Sequence, residues 1–414
     1  MVEINIPYGK DGIIKIDVPK KNYQGTLAPK DVSVGDRDKV ISSSLDHPIS
    51  SPPIEEFLKG GRDVVFIVND GTRPTPTAHV LEAISKRVDI SGFRFLIATG
   101  THRGPNEEEL GFIFGNVLEK VRKNIHSHDS RKDKCVHLGR SKNGTDMEVN
   151  EMAVNADRLV IITSVEPHYF AGYTGGRKSF LPGVASFKCI EQNHKLAMRK
   201  EAGVLKLEGN PVHEDMIDAL KVVKGKKIFS IQIVMDRHQH VYKVASGDLY
   251  KAFEEAVSWA NEVFSVQLKE KADMVISVAP YPMDVDLYQS QKAIDNAKHA
   301  LKDDGVVLLV SKCRQGVGDD TFCKQLSASN DPKVILRNLE CEYKLGYHKA
   351  AKLAEIMVSS RIWAVTDLES GLLSGMNITP FKDVQGAVST FLSERPDAKI
   401  LVLMDGSVTV PRVV

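Results

Sequence analysis

The chain has no apolar run approaching the roughly 18 residues that cross a bilayer as a helix. Its first residues, MVEINIPYGKDG, lack the basic-then-apolar pattern of an export signal. Neither a membrane partner nor secretion is therefore expected, and the reading is of a cytoplasmic protein. An excess of one charge is also missing: 55 Lys and Arg face 54 Asp and Glu, a formal net charge of +1. That balance gives no electrostatic ground for binding nucleic acid or an anionic surface. Cysteine is sparse and unpatterned. Cys135, Cys189, Cys313, Cys323 and Cys341 are odd in number with no CxxC pair, which excludes a disulfide framework and a thiolate zinc site and leaves reduced core thiols. What is present is 414 residues, 42% hydrophobic and 26% charged, enough for two or three globular domains.

Periodicity supplies the organisation. INIPYG and IIKIDVP flank a Gly-Lys-Asp-Gly turn with period-2 alternation, a hairpin expected to open the first domain. Strand-length apolar runs at 64–68, 93–99, 158–164 and 227–235 then alternate with helical patterns, which argues for parallel βα units. A helix from Asp248 to about Leu268 leads out of this domain. The rhythm restarts with runs at 274–280, 306–311, 361–367 and 399–406, separated by helical stretches at 287–301, 348–360 and 384–395. The expected fold is α/β in two domains, each a mostly parallel sheet flanked by helices, with the active site in the cleft between them. The expected boundaries are 1–267 and 268–398, with the final strand and tail at 399–414 able to return to the first domain.

Ligands of open parallel sheets bind beyond the carboxyl ends of the strands. Asp70-Gly71-Thr72-Arg73-Pro74 follows the first run, Gly100-Thr101-His102-Arg103 the second, and Glu166-Pro167-His168 the third. Three strand ends thus carry an acid–arginine pair and two histidines. A glycine-rich stretch, Gly172-Tyr173-Thr174-Gly175-Gly176-Arg177-Lys178-Ser179, resembles GxxxxGK[ST] but places Arg177 where the second glycine belongs, so an ordinary nucleotide triphosphatase is excluded. It still reads as an anion-binding turn with Arg177 and Lys178 adding charge. Gly316-Val317-Gly318-Asp319-Asp320-Thr321 lacks the last glycine of a dinucleotide fingerprint. Tyr288-Gln289-Ser290-Gln291-Lys292 opens a helix on which Gln289 and Lys292 share a face.

Plainer roles compete with each of these. A loop histidine is more often a hydrogen-bonded surface group than a catalyst, though two at strand ends raise the odds. His194 alone would read as a helix-surface residue. His126/His128 and His238/His240 lack the carboxylate spacing of a metal site and are expected to face solvent. Arg73 serves equally well as a structural ion pair with Asp70 or as a substrate clamp, Gln289 and Lys292 as a polar helix face, and Trp363 as core.

Taken together, the segments Asp70–Pro76, Ala98–Arg103 and Glu166–Tyr173, Lys178 with Leu181-Pro182-Gly183, Asn193-His194, and Tyr288–Ala293 resemble the motifs of the lactate racemase family. The resemblance runs in order from about residue 65 to 300. It implies a nickel-pincer nucleotide bound covalently through Lys178, with nickel held by carbon and sulfur of the cofactor and by His194. It implies cofactor contacts from Asp70, Thr101, Gly172, Tyr173, Gly175 and Gly176. His102 and His168 would be the acid/base pair, and Arg73, Tyr288, Gln289 and Lys292 the substrate contacts, with Asp70 orienting Arg73. The implied reaction is inversion of C2 of a 2-hydroxy acid through hydride transfer, in an enzyme matured by cofactor-building partners. Three alternatives stay open: a sugar-acid 2-epimerase of the same family, a non-catalytic cofactor-binding homologue, and an NAD-dependent dehydrogenase, the last without its fingerprint.

Overall fold

The computed structural model describes residues 1–220 and 225–414, which divide into two units, Asp31–Val263 and Met1–Lys30 with Phe264–Val414. Each is built on a six-stranded sheet. In the first unit the order is Val241–Gly247, Lys227–Met235, Arg158–Ser164, Val64–Asn69, Arg94–Ala98, Ile125–Ser127, parallel except for the first pair. The central strands are unbroken Val, Ile, Leu and Phe runs because a parallel sheet is covered on both faces. Phe66, Phe95 and Phe114 fill one side with Val68 and Ile97, while Val65, Ile67, Leu96 and Ile161 fill the other. Turn and cap chemistry sets the helix starts: Asn106 and Glu109 form a reciprocal capping box before Glu107–Phe114, and Ser186 caps Phe187–Lys195.

The second sheet is parallel throughout, in the order Thr379–Pro380, Arg361–Val365, Leu301–Val310, Ala272–Val278, Ile400–Leu403, Tyr23–Leu27. Trp363 is core, as its apolar strand requires, and packs against Phe381 with ring centres 4.6 Å apart.

The expected boundaries need correction at both ends. Residues 1–30 do not open the unit that follows them in sequence. Tyr23–Leu27 forms the edge strand beside Ile400–Leu403, and the hairpin Val2–Tyr8/Gly12–Val18 buries Ile4, Ile6, Ile16 and Val18 in the same core as Met274, Ile276 and Val306. The tail at 399–414 stays with 264–398, because Val410–Val413 pairs with Ser265–Leu268. Those four residues end the helix Leu249–Phe264 earlier than its periodicity suggests. A twofold alternation joining strands far apart in sequence leaves no local mark, so the hairpin was legible and its unit was not.

Buried histidines in both units shape the acid side of stability. Burial pushes His213 and His299 down to about 3, helped at His213 by Arg177 and at His299 by Lys298 and Lys271. Between that value and about 6.5, where an unfolded histidine titrates, the unfolded chain binds more protons, so stability falls as pH drops through this window. Each group contributes up to about 1.4 kcal/mol per pH unit. The urea midpoint is therefore expected to fall clearly between pH 7 and pH 5, and His213→Gln with His299→Gln should flatten that slope. Equal midpoints at the two pH values would contradict it.

Candidate active site

Three neighbouring strands of the first sheet, Arg158–Ser164, Val64–Asn69 and Arg94–Ala98, deliver their carboxyl ends side by side. Asp70 leaves the middle strand buried. His102 Nδ1 lies 2.7 Å from Asp70 Oδ2, and the Thr72 hydroxyl donates to Asp70 Oδ1 at 2.7 Å. Burial alone would push the Asp70 carboxyl up, but the His102 hydrogen bond and charge, with Thr72 and Arg73, outweigh it and hold the carboxyl below its ordinary value. An ionised acceptor at Nδ1 requires the proton there, leaving the lone pair of neutral His102 on Nε2. Arg73 is not the acid's principal partner, contrary to the expected Asp70–Arg73 pair. Its guanidinium stands 3.8 Å from Glu166, and only its backbone amide bonds the Asp70 carbonyl. Thr101 is exposed on the same loop as His102.

The third strand end folds back on itself. Pro167 and His168 pair with Tyr173 and Gly172 in a two-residue ladder, and Thr174 returns its amide to Glu166 O at 2.8 Å. Gly172 and Gly175 have positive φ of 79° and 86°, and a Cβ would lie 2.3 Å from Lys206 O at the first and 2.5 Å from Val165 Cγ2 at the second. Only glycine fits such positions. Gly176 spends its amide on Gln232 Oε1 at 3.0 Å, and Tyr173 is buried. The stretch is therefore a packed turn more than an open cradle of amides, and its product is the placement of Lys178. Arg177 departs from the expected anion site altogether: it points inward and is 1% exposed.

Lys178 Nζ lies 3.4 Å from His168 Nε2 and 5.5 Å from the centre of the Phe170 ring. Burial first, then the charges of Arg177 and Arg73, push its amine well below the ordinary lysine value, with Glu166 pulling the other way. His168 Nδ1 accepts from the Ala171 amide at 3.3 Å, so a neutral ring there carries its proton on Nε2, the nitrogen that faces the Lys178 amine. Phe170 joins this group to the next, with ring centres 4.5 Å from His168 and 5.1 Å from His194. His194 sits near the end of Phe187–Lys195 and is partly buried, not the surface residue its helix suggests. Burial pushes it down to about 3, so its imidazole is neutral and has a lone pair to give a metal. Beside it, fully buried Asn193 reaches Val212 O and Asp215 Oδ2, both at 3.3 Å, fixing the helix.

Tyr288, Gln289 and Lys292 belong to the second unit, on Leu287–Ala297, whose cap Asp286 accepts the Gln289 amide at 2.6 Å. Sequence reasoning missed their neighbour Lys349. Its Nζ lies 3.3 Å from the Tyr288 ring centre and donates to Tyr288 O at 2.7 Å, from a helix 61 residues away in sequence. Burial pushes the Tyr288 hydroxyl up to about 12. Glu166 was visible within its motif but had no assigned role.

The histidine pairs divide. His238 and His240 are exposed beside Asp236. His128 is buried, against expectation, with Nε2 2.9 Å from Ala185 O and Nδ1 3.3 Å from Asp133; His126 bonds the same carboxylate at 2.7 Å. This network anchors the loop beside Thr99, whose hydroxyl bonds the His128 carbonyl. All five cysteines are free, with Cys189 and Cys313 buried and Cys341 exposed. Among the described residues no three His, Cys, Asp or Glu stand where they could hold a metal ion, and no helix is long and apolar enough to cross a membrane.

Residues 8–204 match the family model for the lactate racemase N-terminal domain, and residues 267–410 that for the lactate racemase C-terminal domain. The chain is 33% identical to a lactate racemase of Thermoanaerobacterium thermosaccharolyticum over 98% of both chains. It is 30% identical to one of Lactiplantibacillus plantarum over 98% of this chain and 99% of the other. The solved structure of the Thermoanaerobacterium lactate racemase apoprotein superposes with a TM-score of 0.91 at 31% identity, covering 99% of this chain and all of that one. A Thermotoga maritima protein of 16% identity and TM-score 0.66 shares the fold.

Proposed function

The chain belongs to the lactate racemase family, and on that premise we propose that it is an isomerase that inverts C2 of a 2-hydroxy acid, lactate first among candidates. In this reading His102 and His168 exchange protons with the substrate, while Lys178 and His194 hold a nickel-pincer nucleotide. The observation that carries it is the placement of the Lys178 amine, set 3.4 Å from His168 Nε2 and pushed well below the ordinary lysine value by burial and neighbouring cations. The unprotonated amine, which such surroundings favour, is the form that makes covalent attachments. The donor set fits as well: one neutral imidazole, His194, stands near Phe170 and Lys178 with no cluster of further ligands among the described residues, so a nickel there would need ligands it brings with it. When bound, the cofactor supplies a hydride acceptor, which spares the enzyme a carbanion beside a carboxylate.

The chain's own groups do the rest. His102, held by Asp70 with its proton on Nδ1, presents a basic Nε2. His168, held by the Ala171 amide, presents a protonated Nε2. Over one inversion one ring takes the hydroxyl proton as a neutral imidazole and becomes imidazolium, while the other enters as imidazolium, returns a proton and is left neutral, and the reverse reaction exchanges these roles. Inversion needs that pair, since the hydroxyl of each enantiomer is approached from a different side. Arg73, steadied by Glu166, supplies positive charge for the substrate carboxylate, and Tyr288, Gln289 and Lys292 carry the remaining substrate contacts. Thr101, Gly172, Tyr173, Gly175 and Gly176 shape the surroundings of Lys178 and the cofactor.

The test is protein co-produced with cofactor-building enzymes in nickel medium, offered lactate, longer 2-hydroxy acids and sugar acids, and read by chiral chromatography. Inversion of none of them by nickel-loaded protein would overturn the proposal. Asp70→Asn gives a narrower check. The amide no longer enforces the Nδ1 proton on His102, so turnover should drop about ten- to a hundredfold while the melting temperature moves little. Turnover unchanged in this variant would remove Asp70 from the acid/base machinery.

A further inference from the structure

Arg177 is the largest side chain fully enclosed by this protein, yet no carboxylate offsets its charge among the described residues. Its Nη2 donates to Ala171 O at 2.8 Å, Nη1 to Thr174 O at 3.1 Å and Gly175 O at 3.2 Å, and Nε to His213 Nδ1 at 3.0 Å. The guanidinium lies 4.4 Å from the centre of the Phe253 ring, which also packs on Gly176. Three carbonyls of one turn therefore converge on one cation, and the next residue is Lys178.

Enclosing a charge without a counter-charge costs several kcal/mol, and an apolar side chain of the same volume would normally fill such a space with less penalty. Carbonyl dipoles and a π face recover part of the cost. Packing alone does not account for a cation at this position. We propose that Arg177 is the positioning residue for Lys178: it locks the turn Ala171–Lys178 from inside and sets a permanent positive charge behind the Lys178 amine, making that lysine the reactive one of the chain. The groups facing the amine agree with this. Arg177 and Arg73 disfavour its protonation, Glu166 opposes them, and His168 Nε2 stands 3.4 Å away. His213 accepts from Arg177 and is itself held neutral, so it adds no charge that would weaken the effect.

This inference rests on the attachment role of Lys178 for its purpose, but the chemistry is testable in protein without cofactor. Trace acetylation with acetic anhydride reads amine reactivity directly: nitrogen bonds to an acetyl carbon, acetate leaves, and the ammonium proton passes to water. Labelling at Lys178 is compared by peptide mass spectrometry with labelling at exposed Lys59. At pH 7.5 Lys178 is expected to react at least as fast as Lys59 despite its partial burial. Arg177→Met should slow Lys178 at least tenfold and leave Lys59 unchanged, with cooperative melting retained, while Arg177→Lys, which keeps the charge and loses the carbonyl clamp, should recover part of the rate. An unchanged ratio in folded Arg177→Met, or wild-type Lys178 labelling ten times slower than Lys59, overturns the inference. Should Arg177→Met fail to fold, Phe253→Leu leaves the guanidinium but removes the face beneath it. At least threefold slower labelling is then expected, and an unchanged ratio again overturns the inference. Cofactor mass absent from Lys178 with this labelling pattern intact would remove the attachment reading and leave the Arg177 effect standing.

Discussion

Alanine at either His102 or His168 is expected to lower net racemisation about a hundred- to ten-thousandfold and to leave the fold intact. The expected loss is similar for both because the proposed inversion uses one ring to remove the hydroxyl proton and the other to deliver it. The structure gives the two rings opposite starting tautomers through different partners, the Asp70 carboxylate at His102 and the Ala171 amide at His168. His102 is half exposed on its loop, so its removal frees Asp70 to water and Thr72 and costs about 1 kcal/mol of stability at most. Substrate deuterated at C2 separates the routes. If hydride moves to the cofactor and back, the inverted product keeps its deuterium in ordinary water, whereas deprotonation at carbon by the same histidines exchanges the label with solvent. Rapid wash-out would refute hydride transfer and spare the two-base assignment. Racemisation undiminished in either alanine variant would refute the pair itself.

The sequence made visible whatever is local and periodic. Strands such as 158–164 and 227–235 were readable to the residue because a strand buried on both faces must be apolar throughout. Candidate residues were readable because an open parallel sheet brings its carboxyl ends to one edge, and the order 158–164, 64–69, 94–98 places the three motif-bearing ends side by side. Pairing across long separations was not readable. Nothing near Tyr23 signals a partner at Ile400, and nothing near Tyr288 signals Lys349. Arg73 illustrates a subtler loss. Sequence proximity favoured Asp70, but Asp70 is turned to His102, and the acid within reach of the guanidinium arrives from the next strand end as Glu166. Arg177 was misjudged for the same reason. A cation in a glycine-rich stretch suggests an external anion, and only the fold shows three of the turn's own carbonyls already occupying it.

Lys178→Ala should abolish the covalent mass, the nickel content and the activity together, leaving a folded protein. The linkage of the three follows from the donor set. With no cluster of three His, Cys, Asp or Glu among the described residues, a nickel held as proposed would have only His194 from the protein unless its other ligands were tethered, and the proposed tether is the Lys178 amine. Lys178→Arg should fail as completely, because a guanidinium keeps the charge and is not a nucleophile at neutral pH. Neither variant should destabilise through lost ion pairing, since burial disfavours the lysine's charge and its contacts are His168 and the Phe170 ring. His194→Ala separates the steps. The covalent mass should persist while nickel is lost, because attachment and metal retention then depend on different residues. Intact mass spectrometry with metal analysis on the three variants reads all of this at once. Stoichiometric nickel with full activity in Lys178→Ala would refute the covalent tether, and nickel retained in His194→Ala would refute the imidazole ligand while leaving the tether in place.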